Sequence, residues 1–373
     1  MIIRPITPGD LDPLLEIATE SGPGFTSLMP DRDALSRKIE HSVASFARPV
    51  TEPGDEYYLF VLEDSSTGEV MGTTGIEAAA GVSRPLVHFR RNAVIHHEED
   101  RQKRHPEESL TRCRHYTGCT EVCSLYLRPK FRRANAGKLL SRVRFVFMAL
   151  HPERFADKVI AEMRGVSDDT GQSPFWDWLK HQVADLDFMS ATQLACCSQS
   201  DFIESFIPAT PLYTRQMTNA ARAAIGQVHN DTRPARHMLE REGFRHRGFV
   251  DLLDGGPTLE CRKADIVSVR DTFIASACAR PRTVGPERDK RAAPESAIVA
   301  NTACSEFRAT VSDRAWWDPE ANRVVVTDQV ARDLNLGDRS LAGCLPLDHQ
   351  NALPEPRQRP GHNPATEEIR YAH

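Results

Sequence analysis

Between Leu125 and Leu140 the chain reads LYLRPKFRRANAGKLL: a strand ending near Pro129, a turn with small residues, and the start of a helix. Such a junction aims unpaired backbone N–H groups and the positive end of a helix dipole at one place, which suits a pyrophosphate. Arg132, Arg133 and Lys138 add positive charge there. Gly137 permits close backbone approach, and Asn135 tolerates the left-handed conformation that such turns need. A basic helix start is also a common solvated surface feature, so its setting must decide between the two readings. Cys113, His115, Cys119 and Cys123 bring metal-binding residue types together, but without the short CxxC pairs of a strong zinc site. Ordinary buried cysteines account for them, as packing accounts for Cys196-Cys197, and no metal is expected. No Gly-x-Ser-x-Gly or Ser-x-x-Lys nucleophile motif occurs, so group transfer at this site is most simply direct.

The elements that position this turn follow from pattern. Ile2-Ile3-Arg4 reads as a strand, followed by a helix capped near Thr7 or Asp10 with Leu11, Leu14, Leu15 and Ile17 recurring at helical spacing. A Gly/Ser/Thr-rich loop, residues 21–27, leads to a second helix from about Asp31 to Phe46. Tyr57–Leu62 and Val70–Glu77 form a hairpin rich in apolar residues on both strands, hence central. Residues 82–112, with a His-His-Glu-Glu-Asp run and a basic run, read as a solvated insertion. Thr120–Leu127 is a strand with Val122, Ser124 and Tyr126 on one face and Cys123, Leu125 and Leu127 on the other. A helix from about Gly137 buries Leu139, Val143, Val146 and Leu150, and Lys158–Met163 is a further strand. Helices resume at Phe175, and Pro234–Phe244 is a helix with Pro in its first turn and Gly at its end. A helix after residue 266 precedes a polar linker at 280–293. Short strands (Ala297–Ala300, Arg308–Val311, Val324–Val326) then surround a helix ending at Leu334. From about Pro346 the composition is that of a disordered tail.

Bulk properties bound the function. Hydrophobic residues make up 40% and charged residues 27%, enough for a real core. A formal net charge of −5 supplies no global basic field for nucleic acid or anionic lipid. No apolar run is long enough to span a membrane, and the N-terminus lacks a secretory pattern, so a cytoplasmic location is expected. Nine cysteines, an odd number, argue for free thiols in a reducing compartment.

The order helix pair, central hairpin, strand, pyrophosphate turn, helix is that of the GNAT acyltransferase superfamily. The turn resembles its Arg-x-x-Gly-x-Gly loop, with Arg132 first, Gly137 last and Asn135 in place of the first glycine. Gly243-Phe244 resembles the end of such a unit, and the distance between the two signatures suggests two units in tandem. More narrowly, the chain resembles the arginine N-succinyltransferase family. The resemblance runs through Gly24–Leu28, Val61–Asp64, Glu121–Leu125, Ala161–Gly165, Ser173–Trp176, Ile225–His229 and Asp254–Cys261. It implies an α+β fold of two tandem GNAT-like units with mixed sheets flanked by helices. Residues 1–165 and 166–265 form the units, 266–345 a small β-rich module, and 346–373 the tail. It implies transfer of succinyl from succinyl-CoA to the α-amino group of L-arginine, with His229 as acid/base group and the backbone at Leu125 as a succinyl-CoA contact. Arg132, Gly137 and Lys138 would complete the CoA site.

A positioned imidazole suits the proton transfers of amine attack on a thioester, and a strand-edge N–H suits its oxyanion. Arginine's guanidinium needs planar carboxylate partners, for which Glu121, Glu162, Asp254 and Glu260 are candidates; Arg164, Thr26 and Ser27 are candidates for the succinyl carboxylate. Each also has an ordinary structural role open to it. The resemblance further implies a homo- or hetero-oligomer with a paralogous subunit. A non-catalytic subunit, and an enzyme for ornithine, another amine or a protein lysine, remain alternatives.

Overall fold

A computed structural model describes residues 1–22, 25–83, 86–96, 105–132, 135–168, 171–183, 186–196, 207, 209–280, 296–313, 315–318, 321–337 and 339–347. The expected tail beyond 347, the linker after 280, and Arg133 and Cys197 lie outside these residues.

The chain opens with β1 (Ile2–Pro5), α1 (Leu11–Glu20) and α2 (Arg32–Ala47), then β2 (Tyr57–Glu63) and β3 (Val70–Glu77). Thr7 and Asp10 form the capping box ahead of α1, and Asp31 Oδ1 accepts the Ala34 N–H at 2.8 Å to cap α2. Next come β4 (His88–His96), β5 (His105–Cys113), β6 (Thr120–Leu127), α3 (Ala136–Leu150) and β7 (Lys158–Glu162). α4 (Pro174–Val183), α5 (Phe188–Cys196), β8 (Leu212–Tyr213) and the short helices Asn219–Ala224 and Arg233–Arg241 follow. β9 (Arg245–Val250), β10 (Pro257–Arg262) and the helix Val267–Asp271 lead to β11 (Phe273–Arg280). The last elements are β12 (Ala297–Asn301), β13 (Ala309–Ser312), β14 (Trp316–Asp318), β15 (Arg323–Thr327), the helix Asp328–Asp333 and β16 (Leu341–Pro346).

These strands join one mixed sheet in the order β14-β15-β11-β16-β12-β13-β1-β2-β3-β6-β7-β10-β9-β4-β5-β8. The fold is α+β and GNAT-like. β6 and β7 are parallel, as are β11 and β15, while the remaining pairs are antiparallel. The C-terminal strands attach at β1, where Ile3 pairs with Ala309 and Thr310 Oγ1 donates to the Met1 carbonyl at 2.8 Å. The short strands expected there are present, but β11 and β16 beside them were missed. Both are rich in small residues (FIASACAR and LAGCLP), so their alternation is faint.

The segment read as a solvated insertion is instead β4 and β5, hydrogen-bonded from His88↔Cys113 to His96↔His105 and joined to β9 and β8. His88, Phe89, Leu110 and Ser109 are buried. Charged residues at consecutive positions, Arg90-Arg91 and Glu107-Glu108, interrupt the period-two pattern that marks a strand.

α3, with the helices Arg233–Arg241 and Val267–Asp271 against it, packs on one side of β2, β3 and β6, where Phe60, Phe147, Phe155 and Phe307 interlock around Tyr58, while α4, α5 and Asn219–Ala224 pack with Phe89, Leu110 and Val250. α1 and α2 cover the other side through Leu14, Ile17, Leu35 and Ile39. The central strands are thus enclosed on both faces, as their continuous apolar runs require.

Candidate active site

The parallel pairing of β6 with β7 is confined to Thr120↔Val159 and Glu121↔Ile160. Beyond it β6 continues to Leu127 and β7 to Glu162, so the sheet parts at Glu121 and leaves a cleft between the two strands.

On the β6 side a bulge changes the expected facing. Ser124 has φ +52°, and the register with β3 shifts between Thr73 and Gly75. Val122, Leu125 and Leu127 therefore share the α3 face, while Cys123 and Tyr126 share the α1–α2 face. The expected grouping of Val122 with Tyr126, and of Cys123 with Leu125, is corrected by this extra residue. The left-handed Ser124 is held by Thr73 Oγ1 donating to its carbonyl (2.9 Å) and by its hydroxyl against Tyr57 Oη (2.7 Å). Lys38 Nζ sits 4.5 Å from the Tyr57 ring centre and donates to the Ser27 carbonyl at 2.5 Å. That tie brings the Thr26–Ser27 loop to this face through backbone; Thr26 itself is exposed.

Past Leu127, Arg128 is fixed by Glu20 (2.6 Å) and Glu16 (3.0 Å) of α1. Asn135 has φ +67° and is the N-cap of α3. The sequence-based expectation for this residue rested on that tolerance, which asparagine shares with glycine. A Cβ on Gly137 would meet only Leu127 Cδ2, at 4.0 Å, so the first turn of α3 has open space before it. Arg132 and Lys138 are exposed at its mouth.

The β7 side carries the carboxylates. Glu77 lies opposite Glu121 across β3 and β6, and Glu162 follows two residues after Ile160, the register partner of Glu121. Alternation puts all three on one face of the sheet. Burial first, then the charges of Glu162 and Glu77, lift Glu121 well above the usual carboxylate range, against the pull of Lys38. Part of Glu121 still reaches solvent, as expected of a cleft floor. Glu162 meets the buried His88 of β4, with Oε1 and Nε2 2.5 Å apart. Burial and Glu162 together raise Asp251.

His229 comes to the same cleft through backbone ties. Its N–H donates to the Arg164 carbonyl at 2.9 Å, two residues past Glu162, and Gly226 N–H donates to the Gly255 carbonyl at 2.8 Å. The Asp231 N–H donates to His229 Nδ1 at 3.2 Å. Asp231 Oδ2 lies 3.8 Å from the same nitrogen, so a donor and a carboxylate both stand beside the ring. Asp231 and Arg132 both act electrically on the Tyr126 phenol, which places the His229 loop near the turn before α3. Arg164 is held down by burial while Asp254 and Asp231 pull it up; its Nη2 donates to Ser167 Oγ at 3.0 Å and its Nε is buried without a partner.

Asp254 clamps this arrangement. Its Oδ2 accepts from Gly165 N (2.6 Å) and its Oδ1 from Gly256 N (2.7 Å), and its own N–H donates to Asp251 Oδ1 (2.9 Å). A Cβ on Gly256 would fall 2.1 Å from the Met163 carbonyl oxygen, so only glycine allows the approach.

The structure thus brings Leu125, Glu121, Glu162, Arg164 and His229 around one cleft, with the Arg132–Lys138 turn at one end. It sends Glu260 elsewhere, to Tyr116 Oη (2.6 Å) and Lys158 (3.7 Å), and commits Asp254 to backbone amides rather than to a ligand. Cys123 lies apart from Cys119, which packs with Tyr116 and Phe249. Burial, then Glu121, pushes the Cys123 thiol up to about 12. Sequence reading missed His88, Asp251, Tyr57 and Lys38. His88 had a signal in Val87-His88-Phe89, a polar residue set between two apolar ones.

The profile of the arginine N-succinyltransferase beta subunit matches residues 1–268. An arginine N-succinyltransferase of Enterobacter sp. (strain 638) is 39% identical over 88% of this chain and 92% of its own length. One from Salmonella typhi is 38% identical over 87% and 92%. Among solved structures, arginine/ornithine succinyltransferase subunit AI from Pseudomonas aeruginosa superposes with a TM-score of 0.83 at 32% identity, covering 92% of this chain and 98% of that one. Among the described residues no helix is long and apolar enough to cross a membrane.

Proposed function

The chain belongs to the arginine N-succinyltransferase family, and we propose that it transfers succinyl from succinyl-CoA to the α-amino group of L-arginine. The observation that carries this reading is the parting of β6 from β7, with a bulged strand and helix N-terminus on one side and a group of neighbouring carboxylates on the other. CoA pyrophosphate would lie over the Asn135–Lys138 turn, with Arg132 and Lys138 as counter-charges. The thioester would extend along β6, where the Leu125 N–H serves its oxyanion. The substrate guanidinium fits Glu121 and Glu162, and the half-buried Arg164 with the Thr26–Ser27 loop supplies donors for a carboxylate.

The amine nitrogen attacks the thioester carbonyl carbon and passes a proton to His229. As the C–S bond breaks, the imidazolium returns that proton to the departing thiolate, so the ring ends as it began. Cys123 is no rival nucleophile, since its thiol stays protonated at neutral pH. The names "beta subunit" and "subunit AI" among the relatives support assembly with like or paralogous subunits.

Ornithine is a second substrate to weigh, because the solved relative is named for both amines and a carboxylate floor accepts either cation. The test is thiol release by the purified chain alone, with arginine, ornithine, lysine and citrulline under succinyl-CoA and acetyl-CoA. Turnover with arginine and succinyl-CoA, and little with neutral citrulline, is expected. Activity with none of the amines would overturn the reading and favour a non-catalytic subunit.

A further inference from the structure

The geometry points to His88 as a positioning residue, which holds the Glu162 carboxylate turned into the cleft for a cationic substrate. This rests on the reading of the cleft as the amine site. His88 has no exposed surface, and its Nε2 stands 2.5 Å from Glu162 Oε1. Its ring is fixed from behind by Tyr116, edge-on at 5.2 Å, whose hydroxyl is tied to Glu260. Both ring nitrogens are buried and neither meets hydrogen-bond geometry, so the close approach of Glu162 is the polar contact that favours an imidazole there. Thr258, the cross-strand partner of Glu162 on β10, also buries an unpartnered hydroxyl on the same face.

The surrounding charges explain why such a group is needed. Glu121 from β6 and Asp251 from the β9–β10 connection both act on Glu162, with Glu77 of β3 behind the first and Asp254 behind the second. Lys38 from α2 acts on Glu121, and His115 and Lys158 lie beyond Tyr116. Carboxylates so close share protons unless a cation intervenes. Burial works against the charged form of His88, but the nearby charge of Glu162, with Asp251 behind, outweighs it and raises the imidazole above its ordinary value. This partner of Glu162 comes from β4, the strand that sequence reading took for a solvated excursion. Glu162 Oε1 faces His88, which leaves Oε2 for a guanidinium.

The experiment is the pH dependence of kcat/KM for arginine in His88→Asn, alone and in a Glu162→Gln background. The expected result in His88→Asn is a KM raised tenfold or more with kcat changed far less, and an acid limb moved up by about 1–3 pH units. In Glu162→Gln, adding His88→Asn should move the limb no further. A limb and KM that match wild type, with only a lower kcat, would overturn the proposal and leave His88 as packing. If His88→Asn does not fold, histidine NMR of Glu162→Gln decides. His88 should lose its raised titration there, and an unchanged titration would refute the pairing. An inactive wild-type chain would instead refute the proposed activity, so the two failures are distinct.

Discussion

Replacing Asp254 by alanine tests whether the cleft is assembled by that buried clamp. The side chain accepts two backbone N–H groups, from Gly165 at 2.6 Å and Gly256 at 2.7 Å, in a place without room for water. Orphaning a buried N–H costs about 1–3 kcal/mol, so two give roughly 2–6 kcal/mol. Burial of the acid beside Asp251 already works against it, and its removal relieves that, so the expected loss lies at the lower end, about 2–3 kcal/mol. The folded state binds the Asp254 proton more tightly than the unfolded chain does. That contribution is full below the ordinary aspartate range and fades as pH rises through the raised value, so the gap between wild type and variant narrows with rising pH. Turnover should fall too, because Gly165 follows Arg164, whose carbonyl anchors His229. CoA affinity should hold, since the turn before α3 is built separately. Urea denaturation at several pH values, beside CoA titration calorimetry, measures all of this. A loss below about 0.5 kcal/mol with normal turnover would refute the clamp.

Two further outcomes follow from the same geometry. Arg132→Ala with Gly137→Val should weaken CoA binding by tenfold or more while the protein unfolds as cooperatively as before, because the Gly137 side meets nothing closer than 4.0 Å; calorimetry with CoA decides. Cys123 should resist iodoacetamide at neutral pH in the native protein and react once it is unfolded, read by mass spectrometry of the peptide; rapid native labelling would contradict its raised thiol.

Much of this was legible in the sequence where local chemistry and tertiary structure agree. β6 spans Thr120–Leu127 as its pattern required, Asn135 adopts the left-handed turn, and the hairpin of β2 and β3 is central. The bulge at Ser124 was not legible, because a single left-handed serine leaves no mark in an apolar run and yet reverses which side chains share a face. β4 and β5 were hidden by adjacent charged pairs, Arg90-Arg91 and Glu107-Glu108, which break the alternation. The partners in the cleft were hidden for a different reason. His88 and Glu162 lie 74 positions apart in the chain, and only the neighbouring of β9 with β4 and of β10 with β7 brings them to 2.5 Å. Glu260 and Asp254 looked as promising as Glu162 by residue type, and the structure separates them by what each touches.

The most direct test of the account is the turnover of His229→Ala with arginine and succinyl-CoA, measured by thiol release on protein shown to be folded. His229 is held by its N–H on Arg164 and its Nδ1 under the Asp231 N–H, so its loss should remove a proton donor without disturbing the CoA turn. The account predicts kcat lower by about 10²–10⁴, succinyl-CoA affinity nearly unchanged, and no rescue by glutamine, which hydrogen-bonds but exchanges no proton near neutrality. Turnover close to wild type would contradict it and remove His229 from the chemistry.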